Sequence, residues 1–121
     1  MQIRESEEMY LETIFVLLQR SPFVRSVDVA EELGYSRASV SRAVNLLLQK
    51  AYIQIDKNGQ ISLTDVGLQK AKNIYERHRV ITKLLLKLGA DEAMAEDNAC
   101  RIEHVISPDL FELLRKYAEN E

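Results

Sequence analysis

The side chains best suited to chemistry lie together in the segment Asn98-Ala99-Cys100-Arg101-Ile102-Glu103-His104. It holds the only cysteine of the chain and one of its two histidines, with a glutamate between them. Residues three and four apart share one face of a helix, so a helical segment would direct Cys100, Glu103 and His104 the same way. A thiolate, a carboxylate and an imidazole on one face form half of a transition-metal site. The same residues are equally compatible with a core cysteine, a solvated glutamate and a pairing histidine.

The composition is that of an ordinary globular protein with one domain or two small ones, because 46% of its 121 residues are hydrophobic and 29% are charged. No apolar run approaches the roughly 20 residues of a membrane helix, and the acidic N-terminus does not resemble a signal peptide. A single cysteine excludes an intrachain disulfide and fits a reducing cytoplasm. The net charge of -3 hides a basic region between residues 34 and 60, so nucleic-acid binding is not excluded.

The first half of the chain has the pattern of a winged helix-turn-helix. Apolar residues recur at helical spacing over residues 6–20, and two short helices, 27–33 and 37–51, follow with Gly34 between them. Asn58-Gly59 then separates two alternating β-branched runs, which is a strong hairpin signal. A hairpin directly after a helix-turn-helix is the wing of a winged-helix domain, a DNA-binding architecture.

Three more helices are predicted downstream, at residues 65–88, 91–106 and 109–118. They carry more apolar surface than a small domain needs, which favours a homodimer. We therefore predict a mainly α protein with two parts. Residues 1–70 form a winged helix-turn-helix DNA-binding domain, and residues 71–121 form a helical domain for metal binding and dimerisation.

The solvent face of the third helix predicts contact with double-stranded operator DNA. Arg42 is the best candidate for a base contact because guanidinium fits the guanine O6 and N7 atoms, and Ala38 could touch a thymine methyl group. The residues predicted to contact phosphates are Ser36, Arg37, Ser39, Ser41 and, at the tip of the wing, Lys57. Any one of them could equally belong to a solvated helix face, but the set on a winged helix favours DNA binding.

Two motifs flank the winged helix and carry a family resemblance. Glu8-Met9-Tyr10-Leu11, the winged helix and Ala99-Cys100-Arg101-Ile102-Glu103-His104-Val105 occur in an order that resembles the iron-dependent repressors of the diphtheria toxin repressor family and their manganese-responsive relatives. The resemblance covers essentially the whole chain, and no SH3-like domain is expected after the sixth helix. It implies a cytoplasmic transcriptional regulator, and not an enzyme, that represses by binding operator DNA as a homodimer when loaded with metal.

The resemblance also implies the metal ligands. The primary site would consist of Met9, Cys100, Glu103 and His104, with a main-chain carbonyl and a water. His78 matches a second-site histidine of the family, and Glu12 matches a ligand of the manganese regulators, so a second site of Glu12, His78 and Glu103 is expected. Thr82 and Glu96 stand where the iron repressors have a glutamate and a histidine.

The donor atoms favour iron(II) as the metal. Thioether and thiol sulfurs are soft ligands, whereas manganese prefers carboxylates and water, and the manganese regulators have carboxylates at the positions of Met9 and Cys100. Manganese(II), cobalt(II), nickel(II) and zinc(II) are the alternatives. Because Cys100 would bind as thiolate, metal binding should weaken at acid pH.

Two other classes of function fit parts of the sequence. Cys100 and His104 could act as nucleophile and base, but their acidic neighbours do not provide the electropositive setting that a catalytic thiolate needs. A winged-helix regulator could instead work without metal, sensing an organic ligand or a partner protein through its C-terminal helices. The metal content of protein purified without chelator would separate this alternative from the first.

Overall fold

The computed structural model describes residues 7–119, in which six α-helices and one β-hairpin are found. The elements are α1 (Glu7–Arg20), α2 (Ser26–Leu33), α3 (Arg37–Gln49), β1 (Ile53–Ile55), β2 (Ile61–Leu63), α4 (Asp65–Lys87), α5 (Glu92–Ile102) and α6 (Pro108–Glu119). The described chain divides within α4, after Lys72, into an N-terminal and a C-terminal compact unit. None of the described helices is both long and apolar enough to cross a membrane.

The N-terminal unit is a three-helix core with a hairpin. Its fully buried side chains come from all three helices and recur at helical spacing, because only one stripe of each helix faces inward. They include Leu11, Ile14, Val29, Val40 and Leu47. The arrangement is that of the predicted winged helix-turn-helix, and the mainly α fold class is confirmed.

The turn between α2 and α3 is closed by hydrogen bonds. Gly34 ends α2 in the left-handed region, with φ of 72°, and donates its N–H to the carbonyl oxygen of Ala30 at 2.8 Å. The N–H of Tyr35 donates to the same oxygen at 3.3 Å. Ser36 then caps α3, because its hydroxyl oxygen accepts the N–H of Ser39 at 3.2 Å. The start of the predicted recognition helix is thereby fixed to the end of α2.

The wing is a short antiparallel hairpin with a structured tip. Ile55 lies opposite Ile61 at its end. The carboxylate of Asp56 accepts the backbone N–H groups of Asn58 at 2.8 Å and Gln60 at 2.9 Å, which closes the loop that carries Lys57. The N–H of Ile61 also donates to the carbonyl oxygen of the link residue Val24 at 2.7 Å. The hairpin is therefore held at its tip and along one edge.

The first turn of α4 packs directly on the backbone that precedes β1. A Cβ atom added to Gly67 would lie 1.9 Å from the carbonyl oxygen of Tyr52, so only glycine fits there. Thr64 caps this helix: its hydroxyl accepts the N–H of Gly67 at 3.0 Å and donates to the carbonyl oxygen of Ala51 at 2.7 Å.

In the C-terminal unit, α5 is shorter than predicted. Asp91 caps its start, where the carboxylate accepts the N–H of Met94 at 2.8 Å. The predicted helix over 91–106 was wrong at its end, since α5 stops at Ile102 and residues 103–106 form a turn. The guanidinium of Arg77 donates to two carbonyl groups of this turn, which holds residues 103–106 outside the helix. Glu103 and His104 therefore lie just after the helix rather than on it.

Candidate metal centre and nucleic-acid interface

Three potential metal ligands converge in the C-terminal unit: His78 from α4, Cys100 from α5 and Glu103 from the turn after α5. We call them the His78 cluster. One nitrogen of His78, the sulfur of Cys100 and one oxygen of Glu103 all lie within 4.8 Å of one another. Cys100 is exposed, whereas the Glu103 side chain is fully buried. The cluster thus combines a thiol at the surface with a carboxylate inside.

The imidazole of His78 is held between two carboxylates. Its Nδ1 lies 2.9 Å from Oε2 of Glu103, and its Nε2 lies 2.8 Å from Oε1 of Glu96. The Cys100 thiol contributes most to raising the pKa of His78 to about 11, followed by Glu103 and Glu96, against the burial that lowers it. Each ring nitrogen lies within hydrogen-bond distance of a carboxylate oxygen, and the doubly protonated imidazolium is the form that can donate to both.

Glu103 connects the two histidines of the chain. Its Oε2 faces Nδ1 of His78, and its Oε1 lies 3.2 Å from Nε2 of His104. The side chain of His104 is only 7% exposed and that of Glu103 is fully buried, so their interaction is shielded from water. Three of the residues predicted as metal ligands are therefore joined through one buried carboxylate.

Arg77 fixes the turn that carries Glu103. Its Nη1 donates to the carbonyl oxygen of Glu103 at 3.1 Å and to that of Ile106 at 3.4 Å. The guanidinium carbon lies 5.6 Å from the centre of the Phe111 ring, which suits a cation–π contact. Side chains of α4 and α6 thus hold the main chain of the turn, and the Glu103 carboxylate is directed inward.

The donor set of the His78 cluster fits a transition metal. Imidazole nitrogen, thiolate sulfur and carboxylate oxygen are ligands of late divalent ions, with bonds of about 2.0–2.3 Å for zinc. Donor atoms around one such ion lie up to about 4 Å apart, so the 4.8 Å limit found here requires only small shifts. To bind through one ring nitrogen of His78, a metal would have to displace the proton on that nitrogen, while the other nitrogen keeps its N–H; Cys100 would have to lose its thiol proton.

The two predicted ligands outside the C-terminal unit are Met9 and Glu12, which lie half-buried on α1. The sulfur of Met9 lies 3.9 Å from the hydroxyl oxygen of Tyr35. The predicted ligand set of Met9, Cys100, Glu103 and His104, with Glu12 and His78 at a second site, stays a prediction.

Glu96 is a residue of this site that the sequence did not single out. Its contact with His78 places it beside the cluster, although 64% of its side chain is exposed. The signal lay in the spacing, since Glu96 precedes Cys100 by four residues and shares a face of α5 with it. The resemblance to the iron repressors did not point to Glu96, because those proteins have a histidine at that position.

The residues predicted to contact DNA form a mostly exposed surface on the N-terminal unit. Ser36, Arg37, Ala38, Ser41 and Arg42 are exposed around the first turns of α3, and Ser39 is half-buried. Nη2 of Arg42 donates to Ser39 Oγ at 3.4 Å, which directs the guanidinium toward the helix N-terminus. Lys57 is exposed at the wing tip. The contacts of these residues with DNA, including that of Ala38 with a thymine methyl group, stay a prediction.

The C-terminal unit also carries an apolar groove of about 500 Å³. Its lining residues are Ile81, Leu84, Leu85, Lys87, Leu88, Ile102, Leu114 and Tyr117. Leu88 is 82% exposed and Tyr117 is 67% exposed, values unusual for large apolar side chains. Such a surface is typical of a protein interface.

Comparison with known proteins links both units to one family. The iron dependent repressor N-terminal DNA binding domain matches residues 2–61, and the iron dependent repressor metal binding and dimerisation domain matches residues 64–120. An uncharacterised HTH-type transcriptional regulator of Methanocaldococcus jannaschii is 29% identical over 117 residues, which cover 95% of this chain and 94% of that protein. The HTH-type transcriptional regulator MntR of Bacillus pumilus is 31% identical over 102 residues, or 84% of this chain and 71% of MntR.

A solved structure gives the same result for the fold. The structure of the manganese regulator SloR matches all of this chain with a TM-score of 0.85 and 28% identity. The match covers 56% of SloR, so this chain spans little more than half the length of that protein. With both family domains matched in order along nearly the whole sequence, the chain belongs to the iron-dependent repressor family of metal-dependent transcriptional regulators.

Proposed function

We propose that this protein represses transcription by binding operator DNA as a homodimer when a divalent metal occupies its C-terminal unit. The His78 cluster is the observation that supports the proposal, because it gathers nitrogen, sulfur and oxygen donors within 4.8 Å. It lies in the part of the chain that matches the family's metal binding and dimerisation domain.

The proposed ligands are Met9, Cys100, Glu103 and His104 for the primary ion, with Glu12 and His78 at a second. The His78 cluster contains members of both sets, because Cys100 belongs to the first, His78 to the second and Glu103 to both. The double contact of Glu103 with His78 and His104 supports a role for this carboxylate in both sites. When bound, the metal supplies positive charge and a fixed coordination geometry. The chain's own contribution is to hold Glu103 by its carbonyl and its carboxylate, and to present the Cys100 sulfur at the surface.

Iron(II) is the proposed metal. The Cys100 thiol and the Met9 thioether are soft donors, and such donors favour later ions over manganese. Manganese(II) is the rival because SloR is a manganese regulator. The presence of Cys100 in the His78 cluster is the observation that favours iron.

The proposed partners follow from two surfaces. The exposed hydroxyl and basic side chains on α3 and the wing suit the phosphates and base edges of operator DNA. The apolar groove of the C-terminal unit suits a second copy of the chain. In a homodimer, the two recognition helices can contact the two half-sites of an operator. A regulator that acts on operator DNA works in the cytoplasm, which is the location we propose.

The decisive experiment measures metal-dependent DNA binding without oxygen. A duplex is selected from a random pool with iron-loaded protein, and its Kd is then measured with metal-free protein and with iron, manganese, cobalt or zinc. We expect iron(II) to tighten binding by about 5- to 150-fold, the usual range of allosteric coupling. Cys100→Ala should lose most of that gain, whereas Glu92→Gln, an exposed site on the same helix, should keep it.

An unchanged Kd on addition of every metal would refute a metal-dependent repressor. If manganese lowers the Kd more than iron does at equal free concentration, manganese and not iron would be the proposed metal. A metal effect equally strong in Cys100→Ala would remove Cys100 from the ligand set.

A further inference from the structure

Tyr35 connects the helix-turn-helix to a predicted metal ligand. We propose that its hydroxyl positions the thioether of Met9 for the metal and links that sulfur to the turn before the recognition helix. This inference rests on the proposed function, in which Met9 is a ligand. Tyr35 itself would be a positioning residue, which acts through Met9 and does not touch the metal.

The side chain of Tyr35 is directed at Met9 by two contacts. The hydroxyl oxygen lies 3.9 Å from Met9 Sδ, a long O–H···S hydrogen bond in which the thioether is the weak acceptor. The ring packs against that of Tyr10, with centroids 6.3 Å apart and planes at 59°. Tyr10 is only 2% exposed. A buried neighbour thus fixes the orientation of the Tyr35 ring.

The main chain is fixed at both ends of this contact. The N–H of Tyr35 donates to the carbonyl oxygen of Ala30, and Ser36, the next residue, caps α3. On α1, the hydroxyl of Thr13 donates to the carbonyl oxygen of Met9 at 2.8 Å. Two anchored backbones are therefore joined through a tyrosine hydroxyl and a thioether.

A methionine ligand needs such a contact because its side chain has three freely rotating bonds. The contact with the Tyr35 hydroxyl restricts those rotations. A movement of the Met9 sulfur would therefore shift the side chain of Tyr35, the residue directly before the N-cap of α3. By reciprocity, ordering of that turn on DNA would also favour the sulfur position that binds metal.

The test uses Tyr35→Phe, which keeps the ring and removes only the hydroxyl. Tyr52→Phe is the matched control, because the Tyr52 ring contacts Lys70 through its face, a contact that phenylalanine retains. In metal-free protein with labelled methionine methyl groups, Tyr35→Phe should shift the Met9 resonance and leave that of the exposed Met94 in place. The chain has three methionines, so assignment is direct.

The second readout is cobalt(II) affinity, followed by the sulfur-to-cobalt absorption bands. Tyr35→Phe should weaken cobalt binding about threefold to tenfold, the effect of one net hydrogen bond, and Tyr52→Phe should not. In a Met9→Leu background, Tyr35→Phe should cause no further loss, since the two residues act as one unit.

The outcomes separate this inference from the function on which it rests. A wild-type protein that binds no cobalt overturns both. A wild type that binds cobalt, with equal losses from Tyr35→Phe in the presence and absence of Met9, overturns the role of Tyr35 alone. An unmoved Met9 methyl resonance in metal-free Tyr35→Phe also overturns it, whatever the metal affinity.

Discussion

Arg77 Nη1 donates a hydrogen bond to the carbonyl oxygen of Glu103 at 3.1 Å, while its neighbour His78 binds the Glu103 carboxylate. Two consecutive residues of α4 thus hold one glutamate by its main chain and by its side chain. A carboxylate that is fully buried needs such support, because an unpaired buried charge is costly. The pair explains how a turn, rather than a helix, can hold the predicted metal ligand Glu103 in a fixed position.

Replacing Arg77 should loosen this turn. Arg77→Met keeps much of the side-chain volume but removes the bonds to the carbonyl oxygens of Glu103 and Ile106. We expect the free energy of unfolding to fall by about 1.5–3 kcal/mol, the range for hydrogen bonds from charged donors, as measured by urea denaturation of metal-free protein. Cobalt(II) affinity should fall as well.

Arg79→Met is the control for this change. Arg79 lies two residues further along α4 and forms an exposed ion pair with Glu76, which contributes little to stability. Equal destabilisation by Arg77→Met and Arg79→Met would show that the carbonyl contacts do not hold the turn.

Gly67→Ala should destabilise the N-terminal unit, although alanine usually stabilises a helix interior. Replacing glycine by alanine in a helix normally raises the free energy of unfolding by about 0.5–1 kcal/mol. Here the new methyl group would lie 1.9 Å from the carbonyl oxygen of Tyr52, so the backbone must move. We expect a net loss of about 1–3 kcal/mol, as in overpacked cores, measured by thermal or urea unfolding. Lys72→Ala, an exposed site in the same helix, should be close to neutral; a stabilised Gly67→Ala would refute the close approach.

The cap of α4 can be tested with two substitutions at Thr64. Thr64→Ala removes the hydroxyl that accepts the Gly67 N–H. It should lower the free energy of unfolding by about 1 kcal/mol, within the range of about 0.5–2 kcal/mol for N-caps. Thr64→Ser keeps that hydroxyl and should retain most of the stability. If both variants lose the same amount in urea denaturation, the methyl group of Thr64, and not its hydroxyl, carries the effect.

Arg42 and Lys57 should affect DNA binding in different ways. Arg42→Ala should weaken the free energy of binding by about 1–3 kcal/mol for the duplex selected with iron-loaded protein, and it should relax the sequence preference at one base pair. Lys57→Ala should weaken binding to all duplexes alike and lower the slope of log K against log salt concentration by about 1, because one phosphate contact is lost. Fluorescence anisotropy at several salt concentrations measures both, and identical sequence profiles for the two variants would contradict the base-reading role of Arg42.

Much of the fold followed from local signals. Gly34, the Ser36 cap and Asn58-Gly59 each specify a turn through short-range backbone chemistry, so the winged helix could be predicted from the sequence. The end of α5 could not, because Arg77, which binds the turn after it, lies far away in the sequence. Helical periodicity continues through Glu103 and His104 and gives no sign of a distant side chain that binds their carbonyl groups.

The candidate site was predictable in its residue types and not in its contacts. The spacing of Cys100, Glu103 and His104 and the match of His78 to a family position indicated which residues to consider. The pairing of His78 with Glu96 depends on how α4 and α5 pack in the C-terminal unit. No short motif in the sequence specifies that packing. The assignment of these residues as metal ligands stays a prediction that the cobalt titrations can test.

The carboxylate of Asp56 binds two backbone N–H groups of the wing tip and closes this loop before any contact with DNA. A loop that is already closed loses little conformational entropy when Lys57 meets a phosphate. Asp56 also places a negative charge next to that lysine, so the attraction of the wing to nucleic acid is moderated. A wing of this kind would dock as a rigid part and hold its partner weakly, leaving selection of the site to the recognition helix.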